Sequence, residues 1–146
     1  MKAINMNKVI VAGLVAGLII NVSEFVLNAI VLEAQWQAVM KSLNRNPTFS
    51  TNQIIGFNVI GFVIGILLMW LYAALKPRFE GQSAIVSALV IWVTAYALAM
   101  SGPAIVDLFP LNLVCISLAW GLVEVVIAAV VGAKLYKEPA TMAATA

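Results

Sequence analysis

The sequence predicts an all-α integral membrane protein, with four transmembrane helices in an antiparallel up-down bundle and a short amphipathic helix after the first. Three observations carry this reading. The chain is 64% hydrophobic and only 10% charged, with a mean hydropathy of +1.06, whereas a soluble domain has about a quarter of its residues charged. Its 146 residues divide into four apolar runs, each near the ~20 residues needed to cross a bilayer. The first run places Gly13, Gly17, Asn21, Glu24 and Asn28 at steps of 4, 4, 3 and 4, and so on one helical face. Such a helix has a lipid side and a narrow small-and-polar side whose carboxylate needs partners from other helices.

Span 1 covers about residues 9–32. Lys2 and Lys8 before Val9–Ile20 imitate a secretory leader. The apolar region runs on to Leu32 without a small-x-small cleavage site, so a retained span is expected. Residues 33–44, EAQWQAVMKSLN, put Trp36, Val39, Met40 and Leu43 opposite Gln37, Lys41 and Asn44. That is the pattern of an interfacial helix, or of an extension of span 1 packed on a neighbour. Asn46-Pro47 ends it. Span 2, about residues 51–75, opens with Ser50 and Gln53 at capping-box spacing. Its small and polar face is Asn58, Gly61 and Gly65, and Trp70 and Tyr72 stand near its far end.

Span 3, about residues 83–101, repeats Ser87, Thr94 and Ser101 every seven residues, and Gly102-Pro103 kinks or ends it. Span 4, about residues 110–135, starts at Pro110 and aligns Ser117, Gly121, Glu124, Ala128 and Gly132. One domain, residues 1–138, is therefore expected, followed by a loosely ordered tail at 139–146. Lys2, Lys8, Lys76, Arg78, Lys134 and Lys137 fall on one side of the spans and only Lys41 and Arg45 on the other. The positive-inside rule then puts both termini in the cytoplasm, which for a bacterial cell means an inner-membrane protein.

At ~1.5 Å of rise per residue, Glu24 lies roughly 22 Å up span 1 and Glu124 roughly 16 Å up span 4, both well inside a slab ~30 Å thick. Asn58 and Thr94 fall at similar depths. If the small faces meet at a common axis, one polar layer holds Glu24, Asn28, Asn58, Thr94, Ser117 and Glu124, with Asn21 and Tyr96 at its edge. No Lys or Arg lies at that depth, so at least one carboxyl is expected to keep its proton at neutral pH and to donate a hydrogen bond. Polar residues also fasten membrane helices together, and Gly13-x-x-x-Gly17 and Gly61-x-x-x-Gly65, with Gly121, permit close packing without any ligand. For Asn21, Ser87, Thr94 and Ser117 that structural role is the simpler one. Trp92 and Trp120 read as packing bulk.

Composition excludes much else. The chain has no histidine, which removes His-ligated haem, His metal sites and histidine acid–base catalysis. A single cysteine, Cys115, forms no internal disulfide and no CxxC pair, and reads as a small packing residue. No cofactor and no metal are expected. A net charge of +2 gives no reason to invoke nucleic acid.

The stretch AGLVAGLIINVSEFVL followed by EAQWQAVMKSLN resembles small, uncharacterised four-span bacterial membrane proteins, which share a glycine-rich first helix, a Trp-containing segment directly after it and short later loops. The resemblance implies a four-span fold and no known activity. Small multidrug transporters likewise have four short spans and one Glu in the first. This chain is longer, has a second Glu in span 4 and lacks that family's other motifs.

Three functional readings are open. The first is a small carrier or ligand binder that uses Glu24 and Glu124 to exchange protons or hold a cation. The second is an accessory subunit of a larger membrane complex whose glycine faces are docking surfaces, for a complex partner or for a second copy of the chain. The third, an intramembrane enzyme, is the weakest, because no Ser nucleophile has a visible base.

Overall fold

The computed structural model describes residues 4–136 and is all-helical over them, with no strand among the described residues. Four helices are long and apolar enough to cross a membrane: α1 (Met6–Val31), α3 (Thr51–Leu75), α4 (Ser83–Ile105) and α5 (Leu111–Leu135). The short α2 (Glu33–Ser42) comes after α1, separated from it by a single residue. The expected tail at 139–146 lies outside the described residues.

Local chemistry sets the helix ends. Asn5 caps α1, its Oδ1 accepting from the Lys8 N–H at 3.2 Å, so the helix starts three residues before the apolar run at Val9. Ser50 and Gln53 form the capping box of α3: Ser50 Oγ accepts from the Gln53 N–H at 3.4 Å, and Gln53 Oε1 accepts from the Ser50 N–H at 2.8 Å. Asn44 takes the left-handed conformation (φ 53°) just beyond α2, which an Asn tolerates better than most residues. Pro110 sits immediately before α5.

Two helices contain a wide turn with i→i+5 hydrogen bonding. In α1 it covers Leu27–Val31, where the Leu32 N–H reaches back to the Leu27 carbonyl at 2.8 Å. In α4 it covers Trp92–Ala97. The expected end of span 3 near Ser101 is corrected: α4 runs through Gly102-Pro103 to Ile105. Pro103 is in the final turns, and Asp107 (φ 53°) turns the chain out.

α1 packs most extensively against α3, and next against α5; α4 lies against α5 and α3. Along the α1–α3 seam Gly13 faces Ile66, Gly17 faces Phe62 and Gly61, and Asn21 faces Gly61 and the Asn58 carbonyl, so these two helices run in opposite directions. The backbones nearly touch. A Cβ added at Gly13 would lie 2.6 Å from Ile66 Cα, and one at Gly17 would lie 2.7 Å from Phe62 Cα. The same atom at Gly65 would run into the Gly17 nitrogen and the Gly13 carbonyl oxygen.

The core gathers toward the end of the molecule where α1 begins. Val9, Ala12, Ala16 and Ile20 of α1 meet Leu68, Met69 and Ala73 of α3, Ala88 of α4, and Val125, Ala128 and Ala129 of α5. Alanine is frequent in this core, and its small side chain lets neighbouring helices approach closely. Tyr136 closes this end. Its hydroxyl accepts from the Asn5 N–H at 3.3 Å, its ring stands edge-on to Tyr72 at 5.8 Å, and the Lys76 ammonium lies 5.7 Å from its centre. At the opposite end every residue of α3 from Thr51 to Ile60 is exposed, while Leu27 and Leu32 beside α2, Val39 of α2, and Leu113 and Val114 of α5 stay buried.

The seam predicts a contrast between two glycines of α3. Gly65→Ala forces a methyl group into backbone that cannot move aside and should lower stability by about 1–3 kcal/mol. Gly56→Ala, with no heavy atom within 4 Å, should be neutral or stabilising by up to about 1 kcal/mol. Detergent-denaturation curves monitored by circular dichroism check both, and equal effects would contradict the seam.

Candidate functional site

Beyond Asn21 the small face of α1 leaves the α3 seam and turns polar. Ser23 and Glu24 come next, and Asn28 lies in the wide turn. The Asn28 amide donates to the Glu24 backbone carbonyl at 2.9 Å and to Glu24 Oε2. Its Oδ1 accepts from the Trp36 indole N–H at 2.7 Å. Trp36 in turn stands edge-on to Phe109, 5.3 Å away in the α4–α5 connection. A hydrogen-bond chain therefore links the surface helix α2 through Asn28 to a carboxyl on α1. The i→i+5 turn sets the phase of Asn28 relative to α2, and such turns recur at functional sites.

α5 supplies the second carboxyl. Glu124 is 3% exposed. Tyr96 of α4 donates to its Oε1 at 2.8 Å, while its Oε2 is buried with no hydrogen-bond partner among the described residues. The Tyr96 ring reaches Glu124 across Gly121, where a Cβ would come within 2.6 Å of the ring. Glu24 is an electrostatic neighbour of both Glu124 and Tyr96, and Ser23 borders Glu124 as well. Trp120 Nε1 donates to Ser23 Oγ at 2.8 Å and ties α5 to α1 beside the pair. Away from the end turns the four spans carry no Lys or Arg, so no basic side chain on them reaches this level. No group of three or more His, Cys, Asp or Glu able to hold a metal occurs among the described residues.

Of the residues expected in one polar layer, Glu24, Asn28 and Glu124 come together, and Tyr96 joins them from the edge. Ser117 is buried two turns before Glu124 on α5, its hydroxyl also without a partner among the described residues. Asn58 and Thr94 are corrections. Asn58 is exposed and its amide donates to the Ile54 carbonyl of its own helix at 2.8 Å. Only its backbone carbonyl meets α1, accepting from Asn21 Nδ2 at 3.1 Å. Thr94 lies within the wide turn of α4, is exposed, and donates to Val90 and Ile91 carbonyls at 2.7 and 3.3 Å. An extra residue in one turn rotates all later side chains by ~100°, which breaks the seven-residue repeat and presents Tyr96 to α5 instead. Cys115, read as a packing residue, is exposed on α5.

Sequence reasoning passed over three participants. Trp92, Trp120 and Trp36 each donate a hydrogen bond, to the Leu118 carbonyl, Ser23 and Asn28. The available signal was the indole N–H itself: a donor at that depth needs an acceptor from the protein.

No protein-family model, curated protein or solved structure matches the chain.

The site predicts opposite outcomes for two hydroxyls on α4. Tyr96→Phe leaves Glu124 without its donor and should destabilise by about 1–3 kcal/mol. Thr94→Val removes only a bond to its own helix and should stay within about 0.5 kcal/mol of wild type. Denaturation in detergent of the two variants side by side checks this.

Proposed function

We propose that the chain is a four-span membrane protein, an antiparallel up-down bundle with both termini in the cytoplasm, and that it works as a proton- or cation-linked carrier or small-ligand binder through Glu24 and Glu124. The four apolar helices and the six-to-two distribution of Lys and Arg across their ends support the insertion and its direction. A bacterial inner membrane is the setting this proposal assumes. The observation that carries the function is the buried Glu124 Oε2, unpartnered among the described residues and beside a second carboxyl. Buried polar atoms are almost always satisfied, and an orphaned one calls for a role. Two carboxyls at this depth, without a cation, are best accommodated by a proton held between them. A proton held in this way leaves when the site opens to water or when a cation replaces it. Asn28, Tyr96 and Ser23 would fix the carboxyl oxygens during that exchange.

One observation favours this reading over the accessory-subunit alternative. Gly13, Gly17, Gly61 and Gly65 already face one another inside the chain, so a partner would need another face.

Two measurements test the proposal. In proteoliposomes with an entrapped pH dye, Glu24→Gln and Glu124→Gln should each abolish proton flux while leaving the helical signal intact. A protonated-carboxyl infrared band should be present near neutral pH and lost in one of the variants. If both variants conduct like wild type and no such band exists, the carboxyls are structural. For orientation, in a Cys115→Ser background, a cysteine at position 79 should label from the cytoplasmic side and one at position 45 from the outside. The reverse pattern would invert the topology.

A further inference from the structure

The hydrogen-bond chain from Glu24 ends at a cleft. It has a volume of about 210 Å³ and lies between the start of α2, the connection after α2 and the exposed first turns of α3. Asn28 forms part of its lining, with Glu33 and Gln37 on α2, and with Trp36, Phe49 and Ile54 as its bulky apolar members. Glu33 is its one ionisable lining residue, and its Oε1 accepts from Gln37 Nε2 at 3.1 Å. The volume is below the ~300–1,000 Å³ usual for drug-sized ligands, so the occupant is small.

These features select a chemistry. A carboxylate with no cationic neighbour in the lining favours a positive ligand. Two aromatic side chains favour a cation with an apolar body, since ammonium groups are drawn to the faces of such rings. The Asn28 amide at the inner side is already engaged with Glu24 and Trp36, so it contributes shape more than a free donor. We infer that this cleft is a binding site for an ammonium group carried on a small apolar body, with Glu33 as counter-ion and Trp36 and Phe49 as its walls. The inference deepens the carrier reading by naming its substrate class. Binding itself stands apart from that reading, and only the coupling of binding to transport rests on it. A cation seated here would press on Trp36, whose indole holds Asn28 in place against Glu24. An ammonium of this kind comes from a free amine, since that of an ethanolamine lipid headgroup sits beside a phosphate and has no apolar body.

The test is isothermal titration calorimetry of the full chain in maltoside micelles, corrected against empty micelles. The probes are benzylammonium chloride, benzyl alcohol and dihexanoyl phosphatidylethanolamine. Benzylammonium should bind saturably, with benzyl alcohol about tenfold weaker. Glu33→Gln should weaken the ammonium about threefold and leave the alcohol unchanged. Binding of the short lipid in place of benzylammonium would overturn the requirement for an apolar body. Alcohol binding as tight as the ammonium, indifference to Glu33→Gln, or no binding of either ammonium would overturn it. Glu24→Gln should still bind benzylammonium saturably and with the same dependence on Glu33, because Glu24 is not part of the lining. Intact binding with unaltered proton flux in that variant would sink the carrier reading and spare the site.

Discussion

The near-contact of the α1 and α3 backbones at Gly17 and Gly65 is the constraint on which the other features depend. In the membrane setting proposed above, hydrocarbon gives no reason for apolar helices to associate, so the close fit of small residues has to supply the attraction. Once Gly13, Gly17, Gly61 and Gly65 interlock, the rotation of α1 is fixed over two turns. Asn21 then falls against the Asn58 carbonyl, and Ser23 and Glu24 are carried past the seam toward α5. A bulkier residue at any of these glycines would push α3 outward and leave the carboxyl of α1 without its present neighbours.

The two carboxyls differ in how fully they are satisfied. Glu24 is half-buried and takes a hydrogen bond from Asn28, one turn along its own helix, so its partner travels with it. Glu124 is nearly sealed from its surroundings and relies on a donor from another helix, Tyr96. The first arrangement survives small shifts between helices. The second depends on the registration of α4 against α5 and is the more easily disturbed by movement. Both belong to a region where α4 has already departed from regular geometry.

Much of the architecture was legible in the sequence, and for identifiable reasons. α3 covers Thr51–Leu75, where a capping box at Ser50 and Gln53 marks its start and Lys76-Pro77 follows its end. The face of α1 was legible because glycine and polar residues recur at helical spacing within an otherwise apolar run. Thr94 could not be placed from its spacing, since nothing in WVTAYA announces the wide turn that shifts its phase. Asn58 stands at the right depth, yet α1 uses its backbone carbonyl and not its amide. The indole hydrogen bonds went unread because apolar bulk and a buried donor are the same residue in a one-dimensional pattern.

The wide turn at Trp92–Ala97 has a consequence for how α4 responds to changes in chain length. Elsewhere in a span, losing one residue rotates every later side chain by ~100° and retracts the end by ~1.5 Å. Here the helix already holds one residue more than regular winding needs. A single-residue deletion within 92–97 could be absorbed as a return to α geometry, with Leu98–Ile105 keeping its facing. The same deletion at Ala88, within the core, would swing Trp92 and Tyr96 away from α5. α4 thus contains one place where its length is adjustable without re-aiming its far end.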